Sequence, residues 1–271
     1  MTTDDPQNPL PDSLLASTVT TRELQERKSV RVFRPEPLSP QVRESILEAA
    51  FEAPTAGNQQ LYSIIEIKDE KIRQKLALLC DDQPFIDAAP LVLAFVADCR
   101  YWPQIYRAAG AEKIRQPGVG DLLLAVDDTL IAAQNAVSAA WSLGVGSCYI
   151  GDFMENAEAM RELLHLPSFV FPATLVVFGY PTQKQLERQK PSRSPECAMV
   201  MVDSYQDRSP EDLHEIVEAR RGSQDFESWA QAFCARKYNS DFSREMTRSV
   251  GVYLADFDNS GNGELDLSAL G

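Results

Sequence analysis

Histidine is almost missing from this chain: His165 and His214 are the only two in 271 residues. They are far apart, and each sits in a charged, helical-looking stretch, so surface or capping roles are expected rather than a histidine-centred triad or metal centre. Cysteine supplies no substitute. Cys80, Cys99, Cys148, Cys197 and Cys234 form an odd, scattered set without a CxxC pair, which fits neither a disulfide framework nor a zinc site and reads as reduced thiols. Positive charge is also short, 26 Lys plus Arg against 40 Asp plus Glu for a net −14. An overall field of that sign disfavours nucleic acid and anionic lipid as partners, although it leaves room for a local basic patch.

Long apolar runs are lacking as well. The longest nearly unbroken one, Ala88 to Ala97, falls well short of the roughly 20 residues that span a bilayer as a helix. The start, Met1-Thr-Thr-Asp-Asp-Pro6, lacks the basic and apolar segments of a signal peptide. A cytoplasmic protein without a membrane partner is expected. With 13 Gly and 17 Pro against 44% apolar and 24% charged residues, the composition is that of a packed globular protein.

Residues 1 to about 18 are polar and aperiodic, with Pro6, Pro9 and Pro11, and read as an arm. A short helix is expected after Thr20 or Thr21. Ser39 before Pro40 is a helix-start signal, and Val42, Ile46, Leu47 and Ala50 follow at helical spacing. Strands are expected over 61–68, 91–97, 145–150 and 173–179, with helices over 69–79 and 155–164 between them. The clearest helix is 121–143, where Leu122, Val126, Leu130, Ala133, Val137 and Trp141 recur at steps of three and four and Gly144 closes the pattern. Residues 101–120 hold three aromatics, two Pro and three Gly, and are read as an irregular flap. From about Pro210 the chain reads as helical. Strands separated by helices of varied length predict a mixed sheet flanked by helices.

Three segments could carry chemistry. In Arg27-Lys28-Ser29-Val30-Arg31, cations bracket a hydroxyl. Guanidinium forks and a short hydroxyl bond suit a phosphate, and a solvated charge run ending a helix is the competing reading. In Ala53-Pro54-Thr55-Ala56-Gly57-Asn58-Gln59-Gln60, carboxamides offer donor and acceptor together, as a flavin pyrimidine edge requires; an Asx-type turn explains the segment equally well. Leu143-Gly144-Val-Gly-Ser-Cys-Tyr-Ile-Gly151 is not a dinucleotide fingerprint. GxGxxG would need glycine where Tyr149 stands, and the segment follows a helix instead of a strand. Its small residues would let backbone N–H groups approach a planar ring.

In this order the three segments resemble the FMN-dependent nitroreductase family. So do Phe85-Ile-Asp-Ala-Ala-Pro90, Leu166-Pro167, and Phe178-Gly179-Tyr180-Pro181 followed by Lys190 and Arg193. The resemblance covers about residues 20–205. It implies an α+β protomer with a mixed, mainly antiparallel sheet, in an intertwined homodimer holding two FMN molecules, with NAD(P)H as co-substrate and a small-molecule electron acceptor. By position, Arg27, Lys28, Ser29 and Arg31 would hold the phosphate, with Arg193 and Lys190 completing it. Pro54, Thr55, Asn58 and Gln60 would line the flavin from the other subunit. Ile150 and Gly151 would present backbone N–H groups to the ring beside Cys148 and Tyr149. Bound flavin carries the chemistry, so no side-chain acid or base is required.

The implied activity is ping-pong reduction of nitroaromatics, quinones or related acceptors. Reductive dehalogenation, enone reduction and a non-catalytic flavin-binding role are the alternatives. Asp81 and Pro84 stand where some members carry flavin-binding Asn and Lys, with Gln83 a stand-in for one. Trp102, Tyr106 and Arg107 are the candidate residues of the acceptor pocket. The expected division is an N-terminal arm over 1–19, an FMN-binding domain over 20–205, and a helical extension of the same domain over 206–271. In that extension Phe226, Trp229, Ala230 and Phe233 form an apolar stripe expected to pack. Residues 256–267 mimic a calcium loop but carry Leu267 where the bidentate Glu belongs, so no metal site is expected.

Overall fold

The computed structural model describes residues 18–258 and 263–265. The expected arm therefore lies outside the described residues, except that Thr18 caps the first helix and Val19 opens it. By packing, the described chain forms two units: one runs to Glu187 and includes the residues from Ser249 on, and the other is Arg188–Arg248. The two packing units meet between residues 187 and 188 and again between 248 and 249.

The first unit is built on a four-stranded sheet in the order β1-β2-β4-β3, with β1 Tyr62–Glu66, β2 Leu91–Asp98, β3 Gly146–Ile150 and β4 Val170–Gly179. Every strand pair is antiparallel. The sole parallel pairing among the described residues is the isolated bridge of Ser29 to Ser147.

Helices α1 (Val19–Glu26), α2 (Pro40–Phe51) and α3 (Glu70–Leu79) alternate with the first strands. Ser39 caps α2 by accepting from the Val42 amide at 3.2 Å, with Pro40 at the first helical position. Then come α4 (Tyr101–Ala108), α5 (Val119–Ser142), α6 (Ala157–Leu164) and the short α7 (Gln183–Glu187).

Both sheet faces are covered. On one, Leu76, Ile86, Phe153, Met160, Leu175 and Val177 pack together; on the other, Ile46, Phe95, Ala136, Val137, Val176 and Phe178. That double cover explains why β2 reads as a continuous apolar run rather than an alternating one. Each fully buried large side chain contributes about 1.5–3 kcal/mol.

Two sequence expectations need correction. The 101–120 segment is not irregular at its start, because α4 occupies Tyr101–Ala108. Pro103 lies in the first turn, where its missing N–H breaks no intrahelical bond. In α5 the buried face keeps Leu122, Ala133 and Val137 of the expected stripe but is otherwise made mostly of small residues. It consists of Leu122, Ala125, Asp128, Thr129, Ala132, Ala133, Ala136, Val137 and Ala140, while Leu130 is exposed. The small residues let the helix approach the sheet and α2 closely. By length and composition α5 could also cross a membrane, a feature hidden in the sequence by Asp121, Asp127 and Asp128; its buried face belongs to the core around the sheet.

The second unit holds α8 (Glu196–Met199), α9 (Pro210–Arg221), α10 (Phe226–Lys237) and the start of α11 (Asp241–Leu254). Within it the Phe226 ring stacks on His214 with centroids 3.7 Å apart, and Trp229 stacks on Phe233. His165 ends α6 as its C-cap, with φ 53°. Back in the first unit, Tyr253 of α11 is buried and packs edge-on against Phe171, with its hydroxyl donating to the Ala157 carbonyl at 3.3 Å.

Candidate functional site

The segment after α1 runs extended along the β3 edge of the sheet. The Val30 amide donates to the Ser147 carbonyl at 2.9 Å, and Val30 itself is fully buried. Contact is so close that a Cβ on Gly146 would sit 2.6 Å from Val30 Cγ2. Gly146 therefore serves the packing of Val30, rather than the approach to a planar ring expected from the sequence. A second such contact locks the next stretch: a Cβ on Gly179 would fall 2.8 Å from the Phe33 ring, while the Arg34 amide donates to Tyr180 at 2.8 Å. The Phe178-Gly179-Tyr180-Pro181 motif is thus the seat for residues 33–34.

Extended backbone sends alternate side chains to opposite sides. Arg27, Ser29 and Arg31 gather around the Cys148 thiol, which interacts with all three. Lys28 turns the other way, and its ammonium donates to the Leu186 carbonyl on α7. Of the four candidate phosphate residues in this segment, Arg27, Ser29 and Arg31 thus act on Cys148, and Lys28 bonds to α7. Burial pushes the Cys148 thiol up, and the neighbouring Arg31, Ser29 and Arg27 offset this only in part. It remains a packed thiol rather than a nucleophile. Burial likewise raises Tyr149, against Arg27, and the Tyr149 hydroxyl reaches Gln134 Oε1 on α5 at 3.3 Å.

Four residues further along β3, Ile150 is buried, whereas Gly151 is exposed and a Cβ there would meet no atom within 4 Å. Beside it, Gln83 donates to Asp152 and to the Cys80 carbonyl, so its carboxamide is committed within the protein. Guanidinium and hydroxyl donors at one end of an edge strand, and open backbone at the other, suit a ligand with a phosphate and a flat ring.

The 53–60 loop is held from an unexpected quarter. Asp128, buried on α5, accepts from the Ala56 amide at 2.8 Å and the Leu61 amide at 3.2 Å. Thr55 Oγ1 accepts from the Gln60 amide at 3.1 Å, which makes Thr55 a turn former. Gly57, Asn58 and Gln60 all have positive φ, 58°, 54° and 53°. The strained turn leaves Pro54, Asn58 and Gln60 exposed. The sequence signal for Asp128 was present: a carboxylate on a buried, Ala-rich helix face needs partners.

Next to this loop lies a cavity of about 290 Å³. Trp102 and Tyr106 line it, with ring centroids 5.7 Å apart; Arg107, exposed on the same helix, is not among the lining residues. The Trp102 indole donates to the Gln59 carbonyl at 2.9 Å and the Tyr101 hydroxyl to Gln60 at 2.7 Å, stapling α4 to the loop. Below, Cys99 is buried, which raises its thiol to about 12.

The cavity's outer wall is braced by the C-terminal segment. Leu265 N–H donates to the Ile114 carbonyl at 2.9 Å and Gln116 N–H to Gly263 at 2.8 Å. Asp256, first position of the calcium-like pattern, pairs instead with Arg161 at 2.5 Å and accepts from the Phe169 amide at 3.4 Å. Residues 259–262 and 266–267 of that pattern lie outside the described residues. Lys190 and Arg193 belong to the second unit, where Arg193 donates to the Pro191 carbonyl at 3.3 Å.

The sequence model of the nitroreductase family matches residues 24–180. The FMN reductase [NAD(P)H] of Bacillus subtilis is 28% identical over 224 residues, 79% of this chain and 89% of the relative. The oxygen-insensitive NADPH nitroreductase of Salmonella typhimurium is 37% identical over 155 residues, 57% of this chain and 62% of the relative. Among solved structures, nitroreductase A from Vibrio parahaemolyticus superposes with a TM-score of 0.75 at 25% identity, covering 89% of this chain and 99% of that one.

Proposed function

Since the chain belongs to the nitroreductase family and is an NAD(P)H-dependent oxidoreductase with FMN as its cofactor, we propose that it reduces nitroaromatics, quinones or related small acceptors by a ping-pong mechanism. Bound FMN would supply the hydride-transfer chemistry between NAD(P)H and the acceptor. The protein's task is to bind, orient and exclude water.

The observation that carries this reading is the Arg27–Arg31 segment laid along the β3 edge, where Ser29 bridges Ser147 and Val30 N–H bonds the Ser147 carbonyl, with Arg27, Ser29 and Arg31 each acting on the Cys148 thiol. Two guanidinium groups and a hydroxyl neutralise and orient a phosphate dianion. Gly151 leaves its backbone open to a ring, and donors at a strand end stabilise the negative charge that a flavin gains on reduction. Pro54, Asn58 and Gln60, held outward by Asp128, would line the ring from a second copy of the chain. A homodimer is supported by α5, whose outer face exposes Leu123, Leu124, Leu130 and Ile131 at helical spacing. Five free thiols suit a reducing compartment such as the cytoplasm.

The test is a pair of anaerobic half-reactions on the FMN-loaded protein. NADPH or NADH should bleach the flavin, and a nitroaromatic or quinone added afterwards should restore the colour with no nicotinamide bound. Colour that survives both nicotinamides, or that no acceptor restores, would refute the reading.

A further inference from the structure

The cavity beside α4 has a lining that discriminates by charge as well as by shape. Its volume, about 290 Å³, suits a molecule of one or two rings. Trp102, Pro103 and Tyr106 give it aromatic and flat apolar surface. Three charged residues line it: Lys113, Arg115 and Asp121. Two of these satisfy each other, since Arg115 donates to both carboxylate oxygens of Asp121 at 2.6 Å, an arrangement that holds the Asp121 carboxyl below its usual range. That pairing leaves Lys113 as the lining charge not committed to a carboxylate among the described residues.

The cavity is built rather than a chance gap. On one side, Trp102 and Tyr101 are bonded to the 59–60 carbonyls. On the other, Ile114 and Gln116, which flank Arg115 just after Lys113, are paired with residues 263–265, and Gln116 Nε2 also donates to the Asp256 carbonyl at 2.9 Å. A pre-organised wall loses little entropy on binding.

We propose that this cavity binds a flat aromatic molecule carrying a single negative charge, its ring against Trp102 and Tyr106 and its anionic group on Lys113. In a chain of net charge −14 a cation unpaired with any described carboxylate, beside an aromatic slot, selects for anions against the overall field. The binding stands on the cavity alone; that the bound molecule is an electron acceptor rests on the oxidoreductase reading.

Calorimetric titration of the oxidised, FMN-loaded protein without nicotinamide separates the two. The probes are 4-nitrobenzoate and its neutral isostere 4-nitrobenzamide. At low salt the benzoate should bind about fivefold more tightly, as for one partly exposed charge pair. Lys113→Gln should abolish that margin, Lys113→Glu should invert it, and about 0.5 M salt should erase it. Trp102→Ala should weaken both probes together. Equal affinity for the two probes in the unmodified protein, or a margin that survives Lys113→Gln, overturns the assignment. If the margin holds but neither probe reoxidises the reduced flavin, the acceptor reading fails while the binding site stands. Lys113 is exposed, so its variants fold.

Discussion

The carboxylate of Asp128 accepts the amide of Ala56 at 2.8 Å across 72 residues of sequence. Through that bond and its second one, to Leu61, a core helix dictates the shape of the exposed 54–60 turn. Asp128→Ala leaves two amides without a partner. It should cost about 2–4 kcal/mol in urea unfolding, at about 1–2 kcal/mol per orphaned donor, and should weaken FMN binding although Asp128 is buried and faces no solvent. Unchanged stability would mean that the turn holds itself.

Gly146→Ala tests the seat of the phosphate segment. Its new methyl would meet Val30 at 2.6 Å, and overpacking of this kind costs about 1–3 kcal/mol. Because the clash is with one side chain, Val30→Ala should recover part of the loss in the double variant. A melting-temperature cycle over the four proteins gives the coupling, and additive losses would contradict the contact.

Glu66 on β1 binds Arg43 on α2, with Arg43 Nε donating to Glu66 Oε1 at 2.8 Å. That bond is the main reason the Glu66 carboxyl titrates below its ordinary 4.5, against an opposing push from burial. A folded-state value lower than the unfolded one adds stability above the unfolded value, and the gain vanishes as pH falls through the folded one. Glu66→Gln should therefore lower the melting temperature at pH 7, with the deficit shrinking below pH 4.5 and closing in stronger acid. A deficit independent of pH would assign the effect to packing.

Much of this was legible locally. Ser39 and Pro40 announce α2, the apolar run over 91–97 announces β2, and the cations around Ser29 read as a phosphate clamp. The direction of the Lys28 side chain is not legible locally, because it depends on the backbone being extended there, a consequence of the Val30 bond to Ser147, 117 residues away. Only Leu122, Ala133 and Val137 of the expected α5 stripe are core, because the close approach of the helix selected alanines for the rest of the buried face. The pairing of Leu265 with Ile114 leaves no local trace at all, since strand pairing across that separation is written in neither segment alone.

Arg27 and Arg31 are proposed to bind the cofactor through its phosphate. The most direct test is the affinity of the apoprotein for FMN and for riboflavin, which differ only by that group, in the unmodified chain and in the Arg27→Ala/Arg31→Ala double variant. The double variant should lose at least about tenfold in FMN affinity, as expected for removing charge-assisted hydrogen bonds, with riboflavin affinity unchanged. Equal losses for the two ligands, or none for FMN, would contradict the phosphate site.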